Sequence, residues 1–305
     1  MNNLLAMTTA TADSVSAGAQ NTAAFDFTAV FLIISIIISL AVPVTIMLLG
    51  KSKFKGSFKM FFEGIIGFIV FYVFLPSLIS TIVMPNYSSQ TGSYVEAIIY
   101  LAIRIVCLEA GRFLFVFLRR KKANTWGDGM LLGAGYCFVD TFIILVGFLV
   151  PFLILEIVPD MNKIDGVWRE LLIFVQPIAA EDAWRTLTYG MTSVAFGAVH
   201  LFSSVTIYLA VTKNEKWLCI FAILADALVL VPNKLASFDV WIFKNDYVVI
   251  PYLLVIAVVI YLFVYVLYNK IYNRKEESID TSYFEKLTAK EDNEKKINEK
   301  NKTKK

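Results

Sequence analysis

Apolar runs of roughly 18 residues or more recur along the whole chain, and that feature limits the folds open to it. Backbone immersed in hydrocarbon has to satisfy its own hydrogen bonds. Only helices and closed barrels do so, and runs this long are helices. The 305 residues are 58% hydrophobic and 17% charged, with a mean hydropathy of +0.67. A soluble domain carries about 25% charged residues. The pattern predicts an all-α fold: a polytopic transmembrane helix bundle of about seven spans.

The expected spans run from about Phe27 to Gly50, Phe61 to Met84, Val95 to Leu118, Met130 to Val158, Trp184 to Thr212, Trp217 to Pro232 and Val248 to Tyr268. Together they make one bundle over residues 27–270. Residues 1–26 read as an extracytoplasmic polar tail; they hold no Lys or Arg and so lack the basic start of a secretory signal. Residues 271–305 read as a charged tail too poor in apolar groups to order itself. The connector Pro159 to Asp182 contains LLIFV at 171–175, too short to cross a bilayer and suited to an interfacial or re-entrant segment. With seven spans, Lys51–Lys59, Arg119–Lys122, Lys213–Lys216 and the Lys-rich tail all fall on one side. The positive-inside rule then places the N-terminus outside and the C-terminus in the cytoplasm of a multi-pass cell-membrane protein.

The net charge of +3 arises wholly between Lys270 and Lys305, so it gives no signal for nucleic acid. Cys107, Cys137 and Cys219 lie in apolar runs without zinc-knuckle or disulfide spacing, and read as small hydrophobes.

The strongest functional signal is the stretch Arg104 to Arg120, RIVCLEAGRFLFVFLRR. Glu109 and Arg112 share one helical face at i, i+3 and can pair there. Gly111 between them leaves room for another backbone. Ionisable groups in hydrocarbon are costly and mark function by default. Asp140, His200 and Asp226 lie near the middle of three other spans, each of the four within roughly 5 Å of the midplane at 1.5 Å per residue. Four such groups from four helices suggest one shared polar site. Tyr136 and Gly133 share the face of Asp140; Ser193, Gly197, Ser203 and Ser204 share that of His200. The plainer alternative is that these groups only cross-link helices, with Glu109 tied to its own Arg112.

A carboxylate in apolar surroundings is suited to taking a proton from water, and a nearby histidine or tyrosine to stabilising an oxyanion. No cofactor is expected. Zinc would need His200 with two carboxylates, and with one histidine and no HExxH it is the weaker choice. No Gly-x-Ser-x-Gly elbow supports a serine nucleophile.

LEAGRFLF (108–115), GAGYCFVD (133–140) and VHLFSSVTIYLAV (199–211), in this order, resemble the motifs of the YhfC family of intramembrane proteases, related to the CAAX-protease and bacteriocin-processing group. The resemblance spans roughly residues 28–270. In the first motif Glu109, Gly111 and Arg112 match, while Leu108 replaces a glutamate and Phe113 a tyrosine. In the second, Gly133 and Gly135 match. There Tyr136 replaces a histidine, Cys137 and Phe138 replace two glycines, and Asp140 replaces a glutamate. His200 matches the third motif, with Thr192 and Ser193 where an acid–Arg pair is typical. Asp226 lies near the place of a further histidine.

The resemblance implies an intramembrane-protease-like fold and peptide-bond hydrolysis within or near the bilayer, in a degenerate and inactive form if the departures abolish the chemistry. It implies Glu109 as the base that activates water, Arg112 as its orienting partner, and His200 as oxyanion stabiliser or proton donor. Asp140 completes the catalytic set, and Tyr136 and Asp226 line the substrate pocket. The expected partners are the lipid bilayer and a membrane-embedded peptide. The alternative function is a non-catalytic membrane protein that binds a partner helix or assists transporter assembly. Secondary transport ranks last: Pro151 interrupts the fourth span, and the sequence shows no matching half.

Overall fold

The computed structural model describes residues 27–85, 94–120, 125–157, 166, 183–236 and 246–272. Both expected tails and the connector Pro159 to Asp182 lie outside the described residues, apart from Gly166 and the helical turn at 271–272. Seven helices fill the described residues. They are α1 (Phe27–Ser52), α2 (residues 58–83), α3 (Tyr94–Arg119), α4 (residues 126–157), α5 (Ala183–Thr212), α6 (Leu218–Ala236) and α7 (residues 246–272).

Five of the seven are long and apolar enough to cross a membrane, namely α1, α2, α4, α5 and α7. The other two fall short for different reasons. Helix α3 carries Glu96, Arg104, Glu109 and Arg112 within its length, and the apolar part of α6, Leu218–Pro232, is short. The described residues form an all-α multi-pass membrane bundle of seven helices.

Helix α5 is its axis. It packs against α1, α3, α4, α6 and α7, and its apolar stretch is the most enclosed of the five spans. Its Ser193 meets Ser39 of α1 at 2.9 Å between hydroxyls. Glycines bring the backbones together on α4: a Cβ at Gly135 would strike the Phe61 carbonyl of α2. One at Gly133 would come within 2.7 Å of the His200 carbonyl oxygen on α5.

Five of the seven helices carry a proline, Pro43 of α1 among them. A proline donates no N–H and crowds the carbonyl one turn back. In α6, Pro232 leaves the Leu228 carbonyl without its helical donor, and the Tyr252 hydroxyl of α7 donates to that oxygen at 2.9 Å. In α2 and α4 the helix widens instead. A π turn occupies Ile69–Phe74, just before Leu75 and Pro76, and another Leu145–Leu149, just before Val150 and Pro151. The Leu75 N–H reaches back five residues to Val70 and the Val150 N–H five to Leu145. In α7, Pro251 lies inside the helix, past the first turn, so the backbone ladder lacks one N–H there.

The basic loops meet at one end of the bundle. There Asp128, in the first turn of α4, accepts from the N–H groups of Thr125 at 3.0 Å and Ser57 at 2.8 Å. The Arg119 Nε donates to Glu63 of α2 at 2.7 Å, and Lys213 lies 5.2 Å from the ring of Tyr272. Tyr272 in turn accepts from the Trp126 N–H at 3.2 Å, tying the last turn of α7 to the start of α4.

Candidate functional site

Arg112 is fully buried on α3, and a buried guanidinium needs acceptors for its fork of donors. Three helices supply them. Its Nη1 is ion-paired with Glu109 one turn earlier on α3 and donates to Asp226 of α6 at 2.8 Å. Its Nη2 stands 2.6 Å from His200 Nδ1 on α5. The face of the guanidinium lies 4.7 Å from the ring centroid of Tyr136 on α4. Arg112 is thus a hub rather than a partner of Glu109 alone.

The hub fixes the histidine. A guanidinium has only protons to offer, so Nδ1 accepts and the ring proton sits on Nε2. That nitrogen faces Asp140 Oδ2 at 3.4 Å. Asp140 forms the margin of the cluster, with its side chain 14% exposed, whereas Asp226 is enclosed. Ser203, on the same face of α5, donates to the Ala222 carbonyl at 3.3 Å and lies 3.5 Å from Asp226 Oδ1. All six side chains singled out in the sequence therefore lie in one connected group: Glu109, Arg112, Tyr136, Asp140, His200 and Asp226.

Helix α2 supplies what sequence reasoning missed. Phe68 packs edge-on against both Tyr136 and His200, with centroids 6.1 and 5.8 Å apart, and Tyr72 sits 4.5 Å from Phe68. Gly67 lies against the Tyr136 hydroxyl, which a Cβ there would strike. The available signal was Gly64 and Gly67 within an otherwise large-residue run, the spacing that lets two helices close up. Among the buried polar atoms, Glu109 Oε2, Arg112 Nε, Tyr136 Oη and Ser204 Oγ have no hydrogen-bond partner among the described residues.

The fold and this cluster define a polytopic membrane protein with a closed, guanidinium-centred polar core. Comparison with known proteins places it further. The chain belongs to the YhfC family, described as YhfC intramembrane metalloprotease, which matches residues 38–253. It is similar to the uncharacterized membrane protein YhfC of Bacillus subtilis, 25% identical over 218 residues that cover 68% of this chain and 84% of that protein. No solved structure matches the chain.

The family description implies a metal ion, and the residues here do not fit one. Among the described residues, no three His, Cys, Asp or Glu side chains are placed to hold a metal. The geometry gives the reason. Zinc takes imidazole through a ring lone pair, yet the His200 Nδ1 lone pair points at Arg112 and Nε2 carries the proton. Two of the three nearby carboxylates, Glu109 and Asp226, already face the same guanidinium, and the third, Asp140, faces the protonated Nε2. A divalent cation would have to settle beside a buried positive charge.

Proposed function

We propose that this chain recognises a membrane-embedded peptide segment on an intramembrane-peptidase scaffold whose hydrolytic centre is closed by its own Arg112. One observation carries this reading: a single guanidinium engages two carboxylates and the imidazole lone pair. Those are the groups that would otherwise activate water or bind a metal. The seven helices serve as seven spans, with α3 tolerated because its charges face the bundle. The N-terminus lies outside and the C-terminus in the cytoplasm, following the basic end of the bundle. Kinship with the CAAX-protease and bacteriocin-processing group fits the motif order.

The test uses the full chain in proteoliposomes with fluorescent transmembrane peptides, read for binding by energy transfer and for cleavage by mass. Binding without product is expected. Turnover that disappears in Glu109→Gln would overturn the reading.

A second reading is favoured by one observation: Glu109 Oε2 and Tyr136 Oη have no hydrogen-bond partner among the described residues. In it Glu109 takes a proton from water, Arg112 orients it, and His200 with Asp140 assists the oxyanion or the leaving group. Tyr136 and Asp226 complete the pocket. This is hydrolysis without a metal. Equal turnover by the parent chain, Glu109→Gln and His200→Ala would remove these roles.

A further inference from the structure

Helices α1 and α2 are both long and apolar enough to cross a membrane, so residues 53–57 between them lie at a bilayer surface. Four exposed lysines crowd this turn and its flanks: Lys51, Lys53, Lys55 and Lys59. The ion pairs among the described residues engage Arg112, Arg119 and His200, and none of these four. The nearby acids are engaged elsewhere. Glu63 pairs with Arg119, and Asp128 accepts from the N–H groups of Ser57 and Thr125.

The turn is held in one shape. A Cβ at Gly56 would strike the Gly127 carbonyl of α4, and the Ser57 N–H is fixed by Asp128 at 2.8 Å. The last carbonyls of α1 already have backbone donors. The Gly56 N–H reaches Gly50 at 2.9 Å, and those of Lys53 and Phe54 both reach Leu49. Of the four ammonium groups, Lys51 alone donates to backbone among the described residues, to the Gly56 oxygen at 3.3 Å.

Two of the lysines go against local preference. Lys55 has a φ of 53°, a conformation that glycine adopts freely and lysine rarely, although Gly56 stands beside it. Lys59 adds a cation to the first turn of α2, at the end of a helix dipole that repels one. Departures from local rules collect where a side chain has a use.

An apolar track starts at the turn. Phe58 and Phe62, one helical turn apart on α2, are 43% and 60% exposed, and exposed Ile66 continues the line. The Lys51 ammonium lies 5.2 Å from the Phe58 ring centroid, which sets positive charge at the head of that track.

We propose that this turn binds an anionic glycerophospholipid, with its phosphodiester among Lys51, Lys55 and Lys59 and an acyl chain along Phe58 and Phe62. Charge and track together select the occupant. A soluble phosphate has no use for exposed rings, and a zwitterionic headgroup brings no net charge to neutralise the lysines. Because the turn is preformed, little ordering opposes binding.

The experiment reconstitutes the full chain in phosphatidylcholine vesicles. It reads energy transfer from the tryptophans to a trace of pyrene-labelled phosphatidylglycerol or pyrene-labelled phosphatidylcholine. The phosphatidylglycerol probe is expected to be favoured. Lys55→Gln with Lys59→Gln should lower that preference about fivefold per lysine removed, with an unchanged melting temperature. Removing equal charge elsewhere at the basic end, with Lys216→Gln and Lys270→Gln, should leave the preference nearly intact. Equal transfer to both probes in the parent chain overturns the proposal. So does an equal loss in the two double variants, which would assign the effect to diffuse surface charge. A preference abolished by excess glycerol phosphate in the buffer assigns the site to soluble phosphate and also overturns it.

Discussion

The guanidinium of Arg112 and the imidazole of His200, carried by α3 and α5, stand with Nη2 and Nδ1 2.6 Å apart. The contact joins residues of two helices that stand 88 positions apart in sequence. It sets the histidine tautomer and withdraws the lone pair a metal would use. Because Nη1 of the same guanidinium serves Glu109 and Asp226, one side chain holds three acceptors in register.

Arg112→Met is expected to destabilise the bundle by about 3–5 kcal/mol, the cost of leaving buried charge without its counter-charge. Most of that loss should return when Glu109→Gln and Asp226→Asn are added, since all three sites are then uncharged. Denaturant unfolding in mixed micelles, followed by helical circular dichroism, measures both. A triple variant as unstable as the single one would show that Arg112 acts through packing rather than charge.

Metal removal should leave the protein unmoved. Dialysis against a strong chelator is expected to leave the melting temperature unchanged, and added zinc to give no stabilisation. A ligand that binds only the folded state at 100 times its dissociation constant would add about 2.7 kcal/mol. A clear upward shift with zinc would contradict the tautomer and pairing around Arg112.

Tyr252→Phe should cost about 1 kcal/mol, because the Leu228 carbonyl then loses its donor. In a Pro232→Ala background the same change should cost close to nothing, as the restored backbone N–H fills that oxygen. A double-mutant cycle on unfolding free energies reads the coupling, and additive costs would dismiss this account of the hydroxyl.

Gly67→Ala should destabilise by about 1–3 kcal/mol through overpacking, since its Cβ meets the Tyr136 hydroxyl and ring and the Phe115 ring. Tyr136→Phe should relieve part of that cost by removing the oxygen, leaving the ring contacts. Thermal unfolding of the two single variants and the double decides it.

Much of this architecture was legible because hydrocarbon enforces long apolar runs. The expected span Trp184–Thr212 differs from α5 by one residue at its start, and Val95–Leu118 lies within α3. The depth of Glu109, Asp140, His200 and Asp226 could likewise be counted along each helix. Pairing could not. That Arg112 reaches Asp226 and His200 depends on the rotation and register of α5 and α6, which no periodicity in α3 encodes. Pro151 was visible as an interruption of the fourth span. Its counterpart Pro76, at the same offset from a π turn, became visible only once the wider turns were located.

Those wider turns carry a consequence for how the protein can change in evolution. Each π turn inserts one residue into a helix and so swings everything beyond it by about 100° relative to an unbroken α-helix. The portions of α2 and α4 nearest the basic end, with Gly64, Gly67, Tyr136 and Asp140, are locked around Arg112. Past the turns, the orientation of both helices is decoupled from that lock. The far half of the molecule can thus present new surfaces to lipid or to another helix while its charged heart stays as it is.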